Sequence, residues 1–238
     1  MDMFTIDLGH ILAAPSSLHW LGCDELGRDV FLRAVGGLQV SLTVAFVVTL
    51  VTGLVGIGMG LAAGWCGERV RMAFNALADV VQSFPGLLLA LALAALLGPG
   101  LSNVLLALCL LGWVGFYRLT VAEVRRVQAL PFVDAARLGG VDVARILLRH
   151  ILPVIAAPLL VEALVVAAGS MVAEAGLSYL GLGIAPPAPS LGGMLREGAR
   201  YILVAPHLVI VPAVVLICLA VGLNVAGEGL RKRRTSGR

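Results

Sequence analysis

The sequence predicts an all-α polytopic membrane protein with about five transmembrane helices. Of its 238 residues, 60% are hydrophobic and only 13% are charged, and the mean hydropathy is +1.01. Residues 34–67 contain no charged side chain, although a helix needs only about 20 apolar residues to cross the hydrocarbon core. These observations exclude a large soluble domain and favour a chain that lies mostly in lipid.

Polar or Gly/Pro-rich interruptions of the apolar pattern predict where each helix begins and ends. A polar segment, residues 1–37, precedes them, and short polar or Gly/Pro links separate the first three helices. We predict transmembrane helices at about 38–63, 72–97, 101–120, 153–174 and 203–227. The predicted membrane domain covers residues 38–230, with two long loops at 121–152 and 175–202, and a basic tail, 231–238, follows it.

The distribution of basic residues predicts the orientation of these helices. Thirteen of the 17 lysine and arginine residues lie in one set of alternate loops and four in the other. Because cytoplasmic loops carry the excess of basic residues, we expect the 121–152 loop and the C-terminus to be cytoplasmic. The N-terminal segment and the Gly/Pro-rich 175–202 loop are then expected on the outside.

An odd number of helices with a cytoplasmic C-terminus would place residue 1 outside. Two possibilities stay open at this point. Either the true start lies upstream and carries a further helix, or the first helix itself translocates a short polar N-terminus.

Residues 133–153 form the polar exception among the long segments. They cannot span a bilayer, because they carry Asp134, Arg137, Asp142, Arg145, Arg149 and His150. Their pattern predicts a helix, a turn and a second helix. Pro131 and Asp134 suit the start of the first helix, and Gly139 and Gly140 break it.

The second helix of this loop is predicted to be amphipathic. Asp142 can cap its N-terminus, and Arg145 and Arg149 are four residues apart on one face. The opposite face is apolar and consists of Ile146, Leu147 and Ile151. Pro153 is expected to end this helix, because the residue before a proline is driven away from the helical conformation.

The loop resembles the Glu-Ala-Ala, or EAA, loop of the membrane subunits of ABC importers. That pattern is Glu-Ala-Ala, three residues, Gly, nine residues, Ile, one residue and Leu-Pro, and this sequence departs from it only at Asp134 and His150. The positions that fall on this spacing are Asp134, in place of Glu, and Ala135, Ala136, Gly140, Leu152 and Pro153. The resemblance implies a cytoplasmic coupling helix that docks on an ATPase through Asp134, Ala135, Ala136, Arg137, Gly140, Asp142, Arg145 and Arg149.

Three further segments narrow the resemblance to one group of importers. Residues 19–29 are similar to the H-x-LGTDxLGRD segment of peptide and nickel importers, with Cys23 where Thr is usual. Residues 79–89, DVVQSFPGLLL, and 174–187, EAGLSYLGLGIAPP, are similar to two more of its motifs. The chain thus resembles the C-type inner-membrane permease of dipeptide, oligopeptide or nickel ABC importers, which usually has six helices.

This resemblance implies a non-catalytic subunit with several partners. A second, non-identical permease would complete the pathway, two cytosolic ATPases would bind ATP and Mg²⁺, and an external binding protein would deliver the solute. The chain itself has no G-x-x-x-x-G-K-[ST] sequence, so we expect it to bind neither ATP nor another cofactor. Lipid is an expected partner and nucleic acid is not. Peptide is the first expectation for the solute, and nickel is the second.

Other interpretations of the same residues stay open at this point. An amphipathic, arginine-rich loop also suits an interfacial anchor on anionic lipid. An ion-coupled secondary transporter or channel would need no ATP, although it would require paired intramembrane charges. A membrane scaffold without transport activity is a third class.

Polar residues within or beside the apolar helices are candidates for the solute pathway, because such groups usually face protein or water. The tentative pathway residues are Gln82, Glu162 and Glu174. Asp24, Glu25 and Asp29 resemble a carboxylate cluster, but their spacing is more typical of a solvated, capped turn that Arg28 and Arg33 would neutralise. The four histidines are too scattered to predict a metal site.

Overall fold

The computed structural model describes residues 3–236, and within them the chain is built from helices with no β-strand. A short 3₁₀ helix, Leu8–His10, lies in the N-terminal segment. The elements that follow are α1 (Val30–Trp65), α2 (Glu68–Gln82), α3 (Gly86–Leu97), α4 (Leu101–Gln128), α5 (Pro131–Leu138), α6 (Val143–Arg145), a π-helix (Ile146–Ile151), α7 (Leu152–Tyr179), α8 (Leu191–Ala199) and α9 (His207–Ser236).

Four of these helices are long and apolar enough to cross a membrane. They are α1, α4, the continuous helix Val143–Tyr179, and α9 over His207–Lys232. The pair α2 and α3 would make a fifth span that is bent by 76°. The predicted all-α polytopic architecture with about five spans is therefore confirmed.

The bend between α2 and α3 corrects the single helix that we predicted at 72–97. Residues 83–85 separate the two helices and end in Pro85. A proline lacks the amide hydrogen that a helix needs, and it drives the preceding residue, here Phe84, away from helical geometry. The helix therefore stops at Gln82 and restarts at Gly86.

The other helices extend beyond their predicted limits for local reasons. α1 begins at Val30, so residues 30–37 belong to it, because the Asp29 carboxylate accepts a hydrogen bond from the Leu32 amide at 3.1 Å and caps the helix. α4 continues past residue 120 to Gln128 because Val124 is fully buried in the core.

α9 differs from its prediction at both ends. It begins at His207, directly after Pro206, rather than at 203. It then runs to Ser236 through most of the predicted basic tail, whose last two residues, 237–238, lie outside the described residues.

The expected break at Pro153 is absent, because the helix runs without interruption from Val143 to Tyr179. The π-helix Ile146–Ile151 lies directly before this proline, and the Leu152 amide donates to the Leu147 carbonyl five residues back. Such a wider turn accommodates a proline that cannot donate a hydrogen bond of its own. The predicted loop and the predicted helix at 153–174 are thus one element.

The chain divides into two compact units. Unit 1 consists of Met1–Val47, Leu87–Leu108 and Ala167–Gly222, and unit 2 of Val48–Gly86, Cys109–Val166 and Leu223–Arg238. In unit 1 the N-terminal segment and α8 share a small core, which contains Val30, Ala34, Met194, Ala205 and Leu208.

The core of unit 2 supports the 121–152 loop. It joins α1, α4, α5 and the start of α7 through the side chains of Leu61, Phe116, Val124, Val127, Val133, Ile146, Ile151, Ile155 and Leu159. The loop is therefore held by the same core as the spanning helices.

Three glycines on α1, spaced four residues apart, allow α4 to approach closely. A methyl group added at Gly56, Gly60 or Gly64 would lie less than 3 Å from a side chain of α4, namely that of Phe116, Thr120 or Val124 respectively. Small residues at this spacing let two helix backbones meet in a membrane, where packing replaces the hydrophobic effect as the main attraction.

Replacing Gly60 by alanine should therefore destabilise the protein. The new methyl group would lie 2.8 Å from Thr120 Cγ2 and 3.0 Å from the Tyr117 carbonyl oxygen. We expect a loss of about 1–3 kcal/mol, measured as a lower unfolding temperature in detergent.

The matched control is Gly58→Ala on the same helix. Nothing lies within 4 Å of the methyl group that this substitution adds, so the gain of about 1 kcal/mol in helix propensity should be the main effect. Equal unfolding temperatures for the two variants would contradict the close approach of α1 and α4.

Candidate functional site: a rigid helix-turn-helix with an exposed polar face

The 121–152 loop is a helix-turn-helix whose apolar half is buried. Val133 on α5 and Ile146 and Ile151 on the π-helix are almost completely buried in the core of unit 2. Ala136, one of the predicted coupling residues, and Leu147 pack against the same core. The predicted apolar face of the second helix is thus found, and it fixes the loop to the membrane helices.

The turn between the two helices is closed by backbone hydrogen bonds between residues that are close in the sequence. The Gly140 amide donates to the Arg137 carbonyl at 3.0 Å, and the Val141 amide donates to the Ala136 carbonyl at 3.1 Å. Gly140 has φ = +71°, a left-handed conformation that strains any residue with a side chain. Asp142 caps the next helix through the Ala144 amide at 3.1 Å, as its position predicts.

Arg137 lies against the end of α1. Its guanidinium carbon is 4.4 Å from the centroid of the Trp65 ring, a favourable cation–π distance. One of its nitrogens is 3.5 Å from the carboxylate of Asp134. The last turn of α5 is therefore attached to the end of α1 by a stacked and partly neutralised arginine.

The outward face of the loop remains uncovered. It contains Asp134, Ala135, Gly140, Asp142, Arg145 and Arg149, all of which are exposed. Leu138, which the sequence analysis did not single out, is 91% exposed at the tip of the turn. A single exposed apolar side chain is common on protein surfaces, but its position among the charged residues of this face makes Leu138 a candidate contact residue. Its place next to Gly139-Gly140 is the sequence signal that could have identified it.

The N-terminal carboxylates form a buried ion-pair network, which corrects the expected solvated turn. Asp24 does cap its turn, accepting from the amides of Leu26 and Arg28 at 2.8 and 2.9 Å. However, its other oxygen is buried against Arg28 Nε at 2.7 Å and against Arg33. Arg33 also donates to Glu197 of α8 at 2.8 Å.

Because removing one partner leaves an uncompensated buried charge, this network fixes the N-terminal segment to α1 and α8. Two neighbouring contacts add to it. His19 Nδ1 is 2.9 Å from Asp29, and a hydrogen bond to the carboxylate of Glu25 raises the pKa of Tyr201. Of the three carboxylates, only Asp24 is neutralised by Arg28 and Arg33 as predicted, whereas Asp29 pairs with His19 and Glu25 with Tyr201.

Glu174 is fully buried in α7 and accepts two hydrogen bonds. The hydroxyl of Ser178 donates to it at 2.8 Å and that of Ser41, on α1, at 3.2 Å. The oxygen of Ser178 in turn accepts from the Ile184 amide in the Gly/Pro loop at 3.2 Å. These bonds connect α7 with α1 and with the Gly/Pro loop, and whether solute passes Glu174 stays a prediction.

The other two tentative pathway residues lie in unit 2. Gln82 is exposed at the last position of α2, where the broken span bends. Glu162 is half-buried on α7, and Gly115 of α4 leaves the space that its carboxylate occupies. Whether solute passes these two side chains stays a prediction. Within residues 3–236, no group of three His, Cys, Asp or Glu side chains is arranged to hold a metal ion.

A family model described as "Binding-protein-dependent transport system inner membrane component" matches residues 56–235. The chain belongs to this family. As a member, it is a multi-pass inner-membrane permease subunit of a binding-protein-dependent ABC importer, without catalytic activity of its own. This membership disfavours the alternative of a transporter that works without ATP.

Curated relatives agree with the membership. The dipeptide transport system permease protein DppC of Alkalihalophilus pseudofirmus is 36% identical over 92% of this chain and 72% of that protein. The glutathione transport system permease protein GsiD of Pectobacterium atrosepticum is 36% identical over 94% of this chain and 75% of that protein. This permease is therefore similar to the permease proteins of a dipeptide and of a glutathione transport system.

A solved structure shares the fold of this permease. The inward-facing methionine ABC transporter MetNI aligns with a TM-score of 0.66 and 18% sequence identity, over 84% of this chain and 95% of that chain. A second crystal form of the same transporter gives a TM-score of 0.65. At this identity the comparison shows the fold alone.

Replacing Glu174 by alanine should release the Gly/Pro loop. Two buried hydroxyls would lose their acceptor, at a cost of about 1–3 kcal/mol, and Ser178 would no longer be held in place for the Ile184 amide. Faster hydrogen–deuterium exchange in residues 181–189 is the expected result.

Glu174→Gln is the matched control, because its amide oxygen can still accept one of the two hydroxyl hydrogen bonds. It should show a smaller increase in exchange than alanine does. If the alanine variant exchanges at the wild-type rate in this loop, Glu174 does not position it.

Proposed function

We propose that this permease moves peptides and is driven through its 121–152 loop by cytosolic ATPases. With a second, non-identical permease it forms the pathway, two ATPase subunits hydrolyse ATP with Mg²⁺, and an external binding protein delivers the solute. The observation that carries the coupling role is the exposed polar face around Leu138 on a helix-turn-helix whose other face is buried.

The structure supports a mechanical role for this loop. Because α5 and the π-helix share a core with α1 and α4, a force on the exposed face acts on the membrane helices rather than on the loop alone. The helix Val143–Tyr179 has 37 residues, or about 55 Å at 1.5 Å per residue. A displacement of the loop is therefore carried directly into a membrane span.

Two kinds of observation support peptide as the solute. The resemblance of residues 19–29, 79–89 and 174–187 is to motifs of peptide and nickel importers. The relatives named above belong to a dipeptide and a glutathione transport system, and glutathione is itself a tripeptide. These names favour peptide over nickel.

The orientation that this mechanism requires has the 121–152 loop and the C-terminus in the cytoplasm. The excess of basic residues on that side supports it. Residues 1–29 and the Gly/Pro loop would then face the binding protein on the outside.

The function is tested by reconstituting the permease with its partner subunits in liposomes. Uptake of labelled di- and tripeptides should require both ATP and the binding protein, and nickel should not be taken up. Peptide uptake without ATP would contradict the coupling mechanism, and nickel uptake would contradict the choice of solute.

Replacing Leu138 by alanine should weaken coupling without affecting the fold. The side chain is 91% exposed, so its loss costs little stability, whereas truncating one of the few side chains that anchor an interface costs more than about 1 kcal/mol of binding. We expect at least a fivefold loss of ATP-driven peptide uptake at an unchanged unfolding temperature.

Leu138→Met is the matched control, because methionine has a similar volume and remains apolar. It should retain most of the uptake. If the alanine variant transports as well as the methionine variant, Leu138 is not part of the docking surface.

The orientation is tested through Cys66, which is exposed in the link between α1 and α2. A membrane-impermeant maleimide should label it in inside-out vesicles and not in intact spheroplasts. Cys23 should stay unlabelled in both, because it is buried and burial raises the pKa of its thiol, which leaves little reactive thiolate.

A variant with Cys23, Cys109 and Cys218 replaced by serine keeps Cys66 as the single thiol and removes ambiguity. Labelling of this variant in intact spheroplasts would reverse the proposed orientation.

A further inference from the structure

A groove between α2 and α4 is lined by three arginines and has no assigned role. It has a volume of about 380 Å³ and is lined by Arg71, Asn75, Asp79, Arg118, Val121, Ala122 and Arg125. This volume is typical of sites that hold small ligands. We propose that the groove binds the phosphate-bearing headgroup of an anionic phospholipid.

The lining has an excess of positive charge. Arg118 Nη2 is 2.7 Å from the carboxylate of Asp79, and Arg71 pairs with Glu68 at the start of α2. Within residues 3–232, whose side chains the structure describes, Arg125 forms no ion pair. The groove therefore offers guanidinium groups for phosphate, which they bind in a bidentate manner.

The sequence of α4 puts these arginines at the depth of lipid headgroups. Arg118 directly follows the charge-free residues 101–117, a stretch of about 25 Å at 1.5 Å per residue, close to the thickness of the hydrocarbon core. Arg125 lies two turns farther along the helix. The side chains of Arg118 and Asp79 are 51% and 67% exposed, as suits a pair that faces a headgroup rather than acyl chains.

The surface next to the groove suits acyl chains. Residues 71, 75 and 79 form one stripe along α2, and residues 72, 76 and 80 form the adjacent stripe. In this second stripe Met72 and Val80 are exposed. A cationic groove beside an apolar helix face is the arrangement by which membrane proteins hold an anionic lipid.

The experiment uses the full chain in detergent, without requiring transport. Its unfolding temperature is measured against dioctanoyl phosphatidylglycerol, dioctanoyl phosphatidylcholine and inorganic phosphate, and bound lipid is counted by native mass spectrometry. We expect stabilisation by phosphatidylglycerol only. Equal effects of the two lipids, or an effect of inorganic phosphate at the same concentration, would overturn the proposal.

Substitutions locate the binding in the groove. Arg125→Gln should weaken phosphatidylglycerol binding about fivefold, the effect of one arginine near a membrane surface. The matched control is Arg126→Gln on the same helix, because Arg126 is paired with Glu123 at 2.6 Å and does not line the groove. Equal binding by the two variants would place the lipid elsewhere.

A second substitution, which should increase rather than decrease lipid binding, keeps the test decisive if Arg125→Gln does not fold. Asp79→Asn removes the only carboxylate among the lining residues and frees Arg118, so phosphatidylglycerol binding should increase. Unchanged or weaker binding by this variant would overturn the proposal. So would the loss of bound phosphatidylglycerol when the chain assembles with its partner permease, since the groove would then be a subunit contact.

Discussion

The close approach of α1 and α4 is the contact on which the rest of unit 2 depends. In lipid, apolar side chains gain nothing by leaving the solvent, so helices associate mainly through packing and through the few polar bonds that they share. Gly56, Gly60 and Gly64 provide a surface without side chains, and α4 lies directly on it. The core that supports α5 and the π-helix begins at this contact, because Phe116 and Val124 belong to both.

Charged side chains avoid lipid in two different ways in this protein. In the 121–152 loop, charged side chains face outward and only apolar ones enter the core, so the loop is rigid without any buried ion. In the N-terminal segment, Asp24 is buried together with Arg28 and Arg33, and its carboxylate forms an ion pair with each arginine. Buried pairs contribute little net stability but are costly to break. They therefore determine which surfaces meet more than how strongly they are held.

Much of the fold could be predicted from the sequence, because charge is excluded from lipid and a long charge-free run is stable in few environments besides a membrane. The cap at Asp142 and the glycine turn were predictable because their signals are local. The continuous helix through Pro153 was not predictable, since it depends on a π-helix and no residue pattern in the sequence predicts one. The fully buried state of Glu174 depends on Ser41, far away in the sequence. The G-x-x-x-G spacing on α1 is visible in the sequence and could have predicted the close approach of α4, although the sequence analysis did not single it out.

The π-helix at Ile146–Ile151 also separates two helical phases. A π turn is equivalent to one additional residue in an α-helix, and each residue rotates the following side chains by about 100°. The face that Arg145 presents is therefore turned by about 100° from the position that an unbroken α-helix would give it relative to α7. One helix thus presents the exposed Arg145 and Arg149 in a different phase from Ile155 and Leu159, which it buries in the core of unit 2.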